Sequence, residues 1–195
     1  MIDAKNNPFD VFCDFDGSSN MTWTLIQSYS LENRNIFKSL PLYKDSPQNQ
    51  SNPSWLQYRL SKSQMQFIQQ DSSKWRVTCA YEPNNVSYTD YVRGLNSKVD
   101  ILTFDGSGIC VDLEYINIRG QDCSSCTAAM WQTQNAIVHF DTVNGINCYF
   151  KPTGSISCSL CGGEDNFGFY CCGNPKHRCS SSTQATTQTW FGGED

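Results

Sequence analysis

Phe9, Val11, Cys13 and Phe15 alternate with Asp10, Phe12 and Asp14. After the turn sequence Asp16-Gly17-Ser18-Ser19-Asn20, Met21, Trp23 and Leu25 alternate with Thr22, Thr24 and Ile26. Period-two alternation on both sides of a turn predicts a β-hairpin. From Glu32 to Asn52 no period is sustained and Pro41 and Pro47 interrupt the chain, so this stretch reads as a long surface loop. Trp55 and Tyr58 read as core residues leading into a helix. There Ser61 and Gln64 have the spacing of a capping box, and Met65 and Ile68 share one helical face. Strand-like segments follow at residues 75–81, 86–92, 99–104, 110–118, 136–140 and 148–150, parted by turns containing Asn, Gly and Asp. After Lys151 the periodicity fades into Gly, Ser and Cys. The sum is an α+β fold in one domain over residues 1–195: an antiparallel-rich mixed sheet, one or two short helices, and a disulfide-stabilised, loop-rich C-terminal region.

Cysteine usage changes the picture most. Nine of the eleven cysteines lie in the second half, a density that small secreted domains use to brace a modest core. Eleven is odd, so at least one thiol stays free or pairs outside this sequence. The first residues, Met1-Ile2-Asp3-Ala4-Lys5-Asn6-Asn7, lack the basic and apolar regions of a signal peptide. The two facts together are read as a piece of a longer secreted, extracellular protein. Sequons at Asn20, Asn49 and Asn85 agree with secretion, while the triplet at Asn52 is excluded by Pro53. Charged residues make up 17% of the chain against about 25% in an average domain, and the net charge is -5. With 14 Lys and Arg against 19 Asp and Glu, there is no basic field for a phosphate backbone, which excludes nucleic acid as a partner class. No apolar run approaches the roughly 20 residues of a membrane span.

Two Cys-x-x-Cys pairs, Cys123/Cys126 and Cys158/Cys161, have zinc-ligand spacing within each pair. The 31 residues between them exceed the ~15–20 of a zinc ribbon, so disulfides are the preferred reading. Their Ser-, Thr- and Gly-rich surroundings give no strand-to-helix context for a thioredoxin-like redox motif. Val11-Phe12-Cys13-Asp14-Phe15-Asp16-Gly17 is how phosphohydrolases of the haloacid dehalogenase type begin, with Asp14 as nucleophile and Asp16 as acid. That chemistry also needs a lysine and a downstream carboxylate pair for magnesium on a parallel sheet, and the chain shows hairpins and no such pair. His139, in an apolar strand-like run, reads as structural. No Ser or Cys has a base nearby in sequence, and with two histidines the expectation is a protein without catalysis.

The opening Cys13-Asp14-Phe15-Asp16-Gly17-Ser18-Ser19-Asn20-Met21-Thr22-Trp23-Thr24-Leu25-Ile26-Gln27 resembles the start of fibrinogen-related domains, the group that includes intelectins. These begin Cys-Asp-Met, then a Gly-rich turn, then Trp-Thr-Leu/Val-Ile-Gln. The chain departs from them in having Ser18-Ser19-Asn20 for glycines, no Asp-x-Asp calcium spacing, and Cys171-Cys172 and Trp190-Phe191 where the family has Cys-Ala and Trp-Trp-Tyr, which marks a divergent branch. The resemblance implies a non-catalytic extracellular recognition module, binding glycans in the manner of a lectin, or matrix and cell-surface proteins, with oligomers set by segments outside the domain. It also implies calcium near the C-terminus. Glu164, Asp165 and Asn166 offer the hard oxygen donors such an ion takes, with carbonyls completing six to eight. At a pocket rim, His177 and Arg178 would meet sugar hydroxyls and Trp190 would stack on an apolar sugar face. A purely structural matrix protein is the alternative.

Overall fold

The computed structural model describes residues 1, 8–16, 20–81, 86–141, 147–154 and 165–194. The alternation flanking the first turn becomes β1 (Cys13–Asp16) and β2 (Met21–Ser30), paired antiparallel with Asp14 opposite Trp23. A four-residue helix, α1 (Arg34–Phe37), interrupts the loop that follows, and β3 (Gln57–Arg59) returns to β2. Helix α2 (Lys62–Gln70) starts at Ser61, whose hydroxyl accepts from the Gln64 backbone N–H while the Gln64 side chain accepts from that of Ser61. This is the reciprocal cap that the spacing predicts. Then come β4 (Lys74–Cys79), β5 (Tyr91–Leu95), β6 (Gly106–Ile118), β7 (Gln121–Thr133), β8 (Ala136–Asp141), β9 (Asp165–Asn166) and β10 (Thr186–Glu194). All lie in one ten-stranded sheet ordered β1-β2-β10-β4-β5-β6-β7-β8-β9, with β3 beside β2 and every ladder antiparallel. The expected α+β class and antiparallel sheet are thus present.

Four expectations need correction. Of residues 86–92 only Tyr91 and Val92 are strand, where β5 begins. Residues 99–104 form turns, because the Asp100 carboxylate accepts from the Leu102 N–H and the Thr103 hydroxyl and closes the chain locally. Val99, Ile101 and Leu102 are buried there all the same. Residues 148–150 touch β7 through Thr127 without joining a ladder. The 32–52 loop is not solvated throughout: fully buried Arg59 donates to the carbonyls of Leu40, Pro41 and Lys44 at 2.7–2.9 Å and to Gln27 Oε1. Burial pulls the Arg59 pKa down to about 10, with Asp45 opposing, so the side chain stays charged at neutral pH.

The last strand is an interior strand of the sheet, between β2 and β4. Its polar run Thr186-Thr187-Gln188-Thr189 is buried, and Gln188 accepts from the Thr78 hydroxyl and the Tyr81 N–H while donating to Ser28 Oγ. Two tryptophans lie opposite glycines of neighbouring strands, Trp23 facing Gly192 and Trp75 facing Gly94. A Cβ added at Gly192 would stand 2.5 Å from the Trp23 ring. Gly192→Ala is therefore expected to destabilise by about 1–3 kcal/mol, the usual cost of overpacking. Urea unfolding checks this, and a midpoint equal to wild type would contradict it.

Candidate functional site

Where β4 ends, Cys79 is joined to Cys179, 100 residues further on, and this disulfide pins the segment before β10 to the sheet. Cys110 pairs with Cys148, Cys123 with Cys126, and Cys171 is disulfide-bonded as well. The disulfide reading of Cys123/Cys126 thus holds, with both residues in β7. Cys158 and Cys161 lie outside the described residues. Cys13, half-buried on β1, is a free thiol. Among the described residues no helix is long and apolar enough to cross a membrane.

The Cys179 side of this clamp encloses a polar node. Asp90, fully buried, accepts from the backbone N–H of Arg119 at 2.6 Å and of Arg178 at 2.9 Å, tying the turn after β6 to the C-terminal segment. Asn117 braces the same turn by accepting from the N–H groups of Asp90 and Gly120. His177 is also fully buried, edge-on to Phe167, with Nε2 3.7 Å from Asp90 Oδ1. Among the described residues neither of its ring nitrogens has a hydrogen-bond partner. Burial pushes its pKa down to about 4, Asp90 opposing and Arg119 reinforcing, so the ring is neutral at pH 7. One ring nitrogen of His177 and the sulfurs of Cys79 and Cys179 lie within 4.8 Å of one another.

These positions correct the expected pocket rim. His177 has no solvent-facing edge, and Arg178, half-buried, contributes its backbone N–H to Asp90. Trp190 is wholly buried with its indole N–H on the Thr78 hydroxyl, so it presents no face to a sugar. It belongs to a cluster of tilted and edge-on rings with Phe12, Trp55 and Tyr81, and Phe12 and Trp55, with Leu25, Pro53 and Ser54, line a recess of about 60 Å³. That is well below the ~300–1,000 Å³ typical of ligand sites. Asn20 and Asn49 are exposed at positive φ, and Asn85 lies outside the described residues. Glu164 also lies outside them, and Asp165–Asn166 are described only as the backbone of β9. His139 is buried, its Nδ1 2.7 Å from the Ile137 carbonyl oxygen, as a structural residue would be.

A larger opening lies elsewhere. A groove of about 340 Å³ is lined by Leu95, Lys98, Asp112, Leu113, Glu114 and Ser125. Glu114 is held by the Lys74 ammonium and the Arg93 guanidinium, each at 3.0 Å. Asp112 and Lys98 are exposed on its walls, while the Leu113 side chain between Asp112 and Glu114 is buried in the core. Asp112 and Glu114 are two apart on one strand and therefore share a face, a relation that period two makes readable once the strand is known. A sequence search for sites passes over them because they stand singly among apolar residues.

The carboxylate that the phosphohydrolase reading needs as a nucleophile is committed elsewhere. Asp14 accepts a hydrogen bond from Arg76 in the interior, and the antiparallel sheet lacks the parallel strands on which that chemistry is built. No family model matches the chain, no curated protein matches it, and no solved structure matches it. Fold and site together define a disulfide-braced antiparallel α+β protein with a buried polar node and an open polar groove.

Proposed function

We propose that the protein is a secreted, non-catalytic recognition module of the fibrinogen-related kind whose ligand is a glycan, bound in the groove between Lys98 and Asp112. The groove carries this reading: its volume falls at the low end of the ~300–1,000 Å³ typical of ligand sites. Half-buried Leu95 beside the exposed Lys98 ammonium and Asp112 carboxylate matches the mixed apolar and hydroxylated surface of a sugar. The disulfides support an oxidising compartment, and the exposed Asn20 and Asn49 are accessible to glycosylation.

Retention on a glycan array, run in CaCl2 and in EDTA, tests the reading. Wild type is expected to be retained, and Asp112→Ala to weaken retention about 10- to 100-fold, since a hydrogen bond to a charged group contributes about 1.5–3 kcal/mol. Loss in EDTA would support calcium at Glu164, Asp165 and Asn166. Retention by Asp112→Ala equal to wild type would remove the groove from the reading, and no retention by wild type would favour the structural matrix alternative.

A further inference from the structure

We propose that Cys79, Cys179 and His177 form a latent Zn²⁺ site that opens when the Cys79–Cys179 disulfide is reduced. The three donors already lie within 4.8 Å of one another, and all three residues are buried. Tetrahedral zinc holds thiolates at ~2.3 Å and imidazole at ~2.0–2.1 Å, which sets ligand atoms about 3.5–4 Å apart, inside the span these residues occupy. Their side chains therefore have little distance to travel.

His177 is the independent observation that points to a ligand. Among the described residues neither nitrogen of this buried imidazole has a hydrogen-bond partner, and coordination would satisfy one of them. Its environment is already that of a metal-binding histidine. The Asp90 carboxylate, fixed by two backbone N–H groups, stands 3.7 Å from Nε2. A carboxylate behind a ligating histidine is the common arrangement for orienting the ring and raising its basicity. Two thiolates and one imidazole are a known zinc donor set whose fourth position is taken by water.

The chemistry balances with a dithiol reductant. The dithiol gives two electrons and two protons to the Cys79–Cys179 bond, leaving two thiols and the oxidised cyclic disulfide. Zn²⁺ then replaces the two thiol protons, which pass to solvent, and His177 enters without proton exchange.

The test is zinc content and thiol protection in protein reduced by dithiothreitol, incubated with ZnCl2 and desalted without oxygen. One equivalent of zinc is expected in wild type and in Cys123→Ser/Cys126→Ser, with Cys79 and Cys179 protected from iodoacetamide. Cys179→Ser and His177→Ala are expected to lose the equivalent, and Asp90→Asn to weaken zinc affinity about 10- to 100-fold. Zinc retained by His177→Ala, or protection falling on other cysteines, would overturn the proposal. Because reduction loosens the fold, a second arm follows refolding of the reduced wild type from urea, where ZnCl2 is expected to raise the unfolding midpoint. Failure of zinc to raise it, including failure to refold at all, would overturn the proposal too.

Discussion

Arg76→Met is expected to lose about 3–5 kcal/mol of folding stability, the range for removing one partner of a buried ion pair. The Arg76 side chain is 1% exposed and that of Asp14 10%. From β4 the guanidinium reaches across β10 and β2 to Asp14 on β1, lying 4.4 Å from the Trp23 ring centroid and 4.8 Å from that of Trp190. Methionine keeps most of the bulk over the two indoles but leaves the Asp14 carboxylate buried without its counter-charge. The loss therefore comes from the orphaned anion, with a smaller share from the cation–π contacts. Removing both charges in Asp14→Leu/Arg76→Met is expected to destabilise less than Arg76→Met alone, since apolar replacements of buried pairs are often neutral. A urea-denaturation double-mutant cycle measures both terms. A loss under about 1 kcal/mol in Arg76→Met would mean that the pair behaves like a surface salt bridge.

What the sequence reveals follows the range of the forces involved. The hairpin and the α2 cap depend on neighbours three to eleven residues apart, so alternation and the Ser61/Gln64 spacing disclose them. β10 is hidden because its burial is long-range: the Gln188 side chain is satisfied by Thr78, Tyr81 and Ser28, more than 100 residues distant. A run of Thr and Gln reads as solvated until those partners are known. β7 is hidden for another reason, in that Cys123 and Cys126 invite a motif reading of a stretch that is strand throughout. The candidate site shows the same limit more sharply. His177, Arg178 and Trp190 have the right chemistry for a sugar, but chemistry does not disclose burial, and the fold turns two of them inward. Asp90 gives no local signal, because its partners Arg119 and Arg178 meet it only through tertiary structure.

Cys79→Ala/Cys179→Ala is expected to be the most destabilising of the paired-cysteine replacements. Closing a loop of about 100 residues removes roughly 4.7 kcal/mol of unfolded-state entropy, against about 4 for the Cys110–Cys148 separation of 38 and about 2 for the Cys123–Cys126 separation of 3. The native state adds to this ordering. Cys179 anchors the segment that carries His177 and leads into β10, and β10 joins β2 to β4 in the interior of the sheet. Loosening that segment releases the strand on which both halves of the sheet depend. The Cys123–Cys126 bond lies within β7, whose pairing with β6 continues on both sides of it, so its loss leaves the ladder in register. Urea unfolding of the three paired variants gives the comparison, and the expected order of stability loss is Cys79/Cys179, then Cys110/Cys148, then Cys123/Cys126. The reverse order would show that native strain, and not loop closure, decides what each bridge contributes. In that event the Cys79–Cys179 bond would bring little stability to the node it encloses, and reduction would open the His177 environment with the rest of the fold intact.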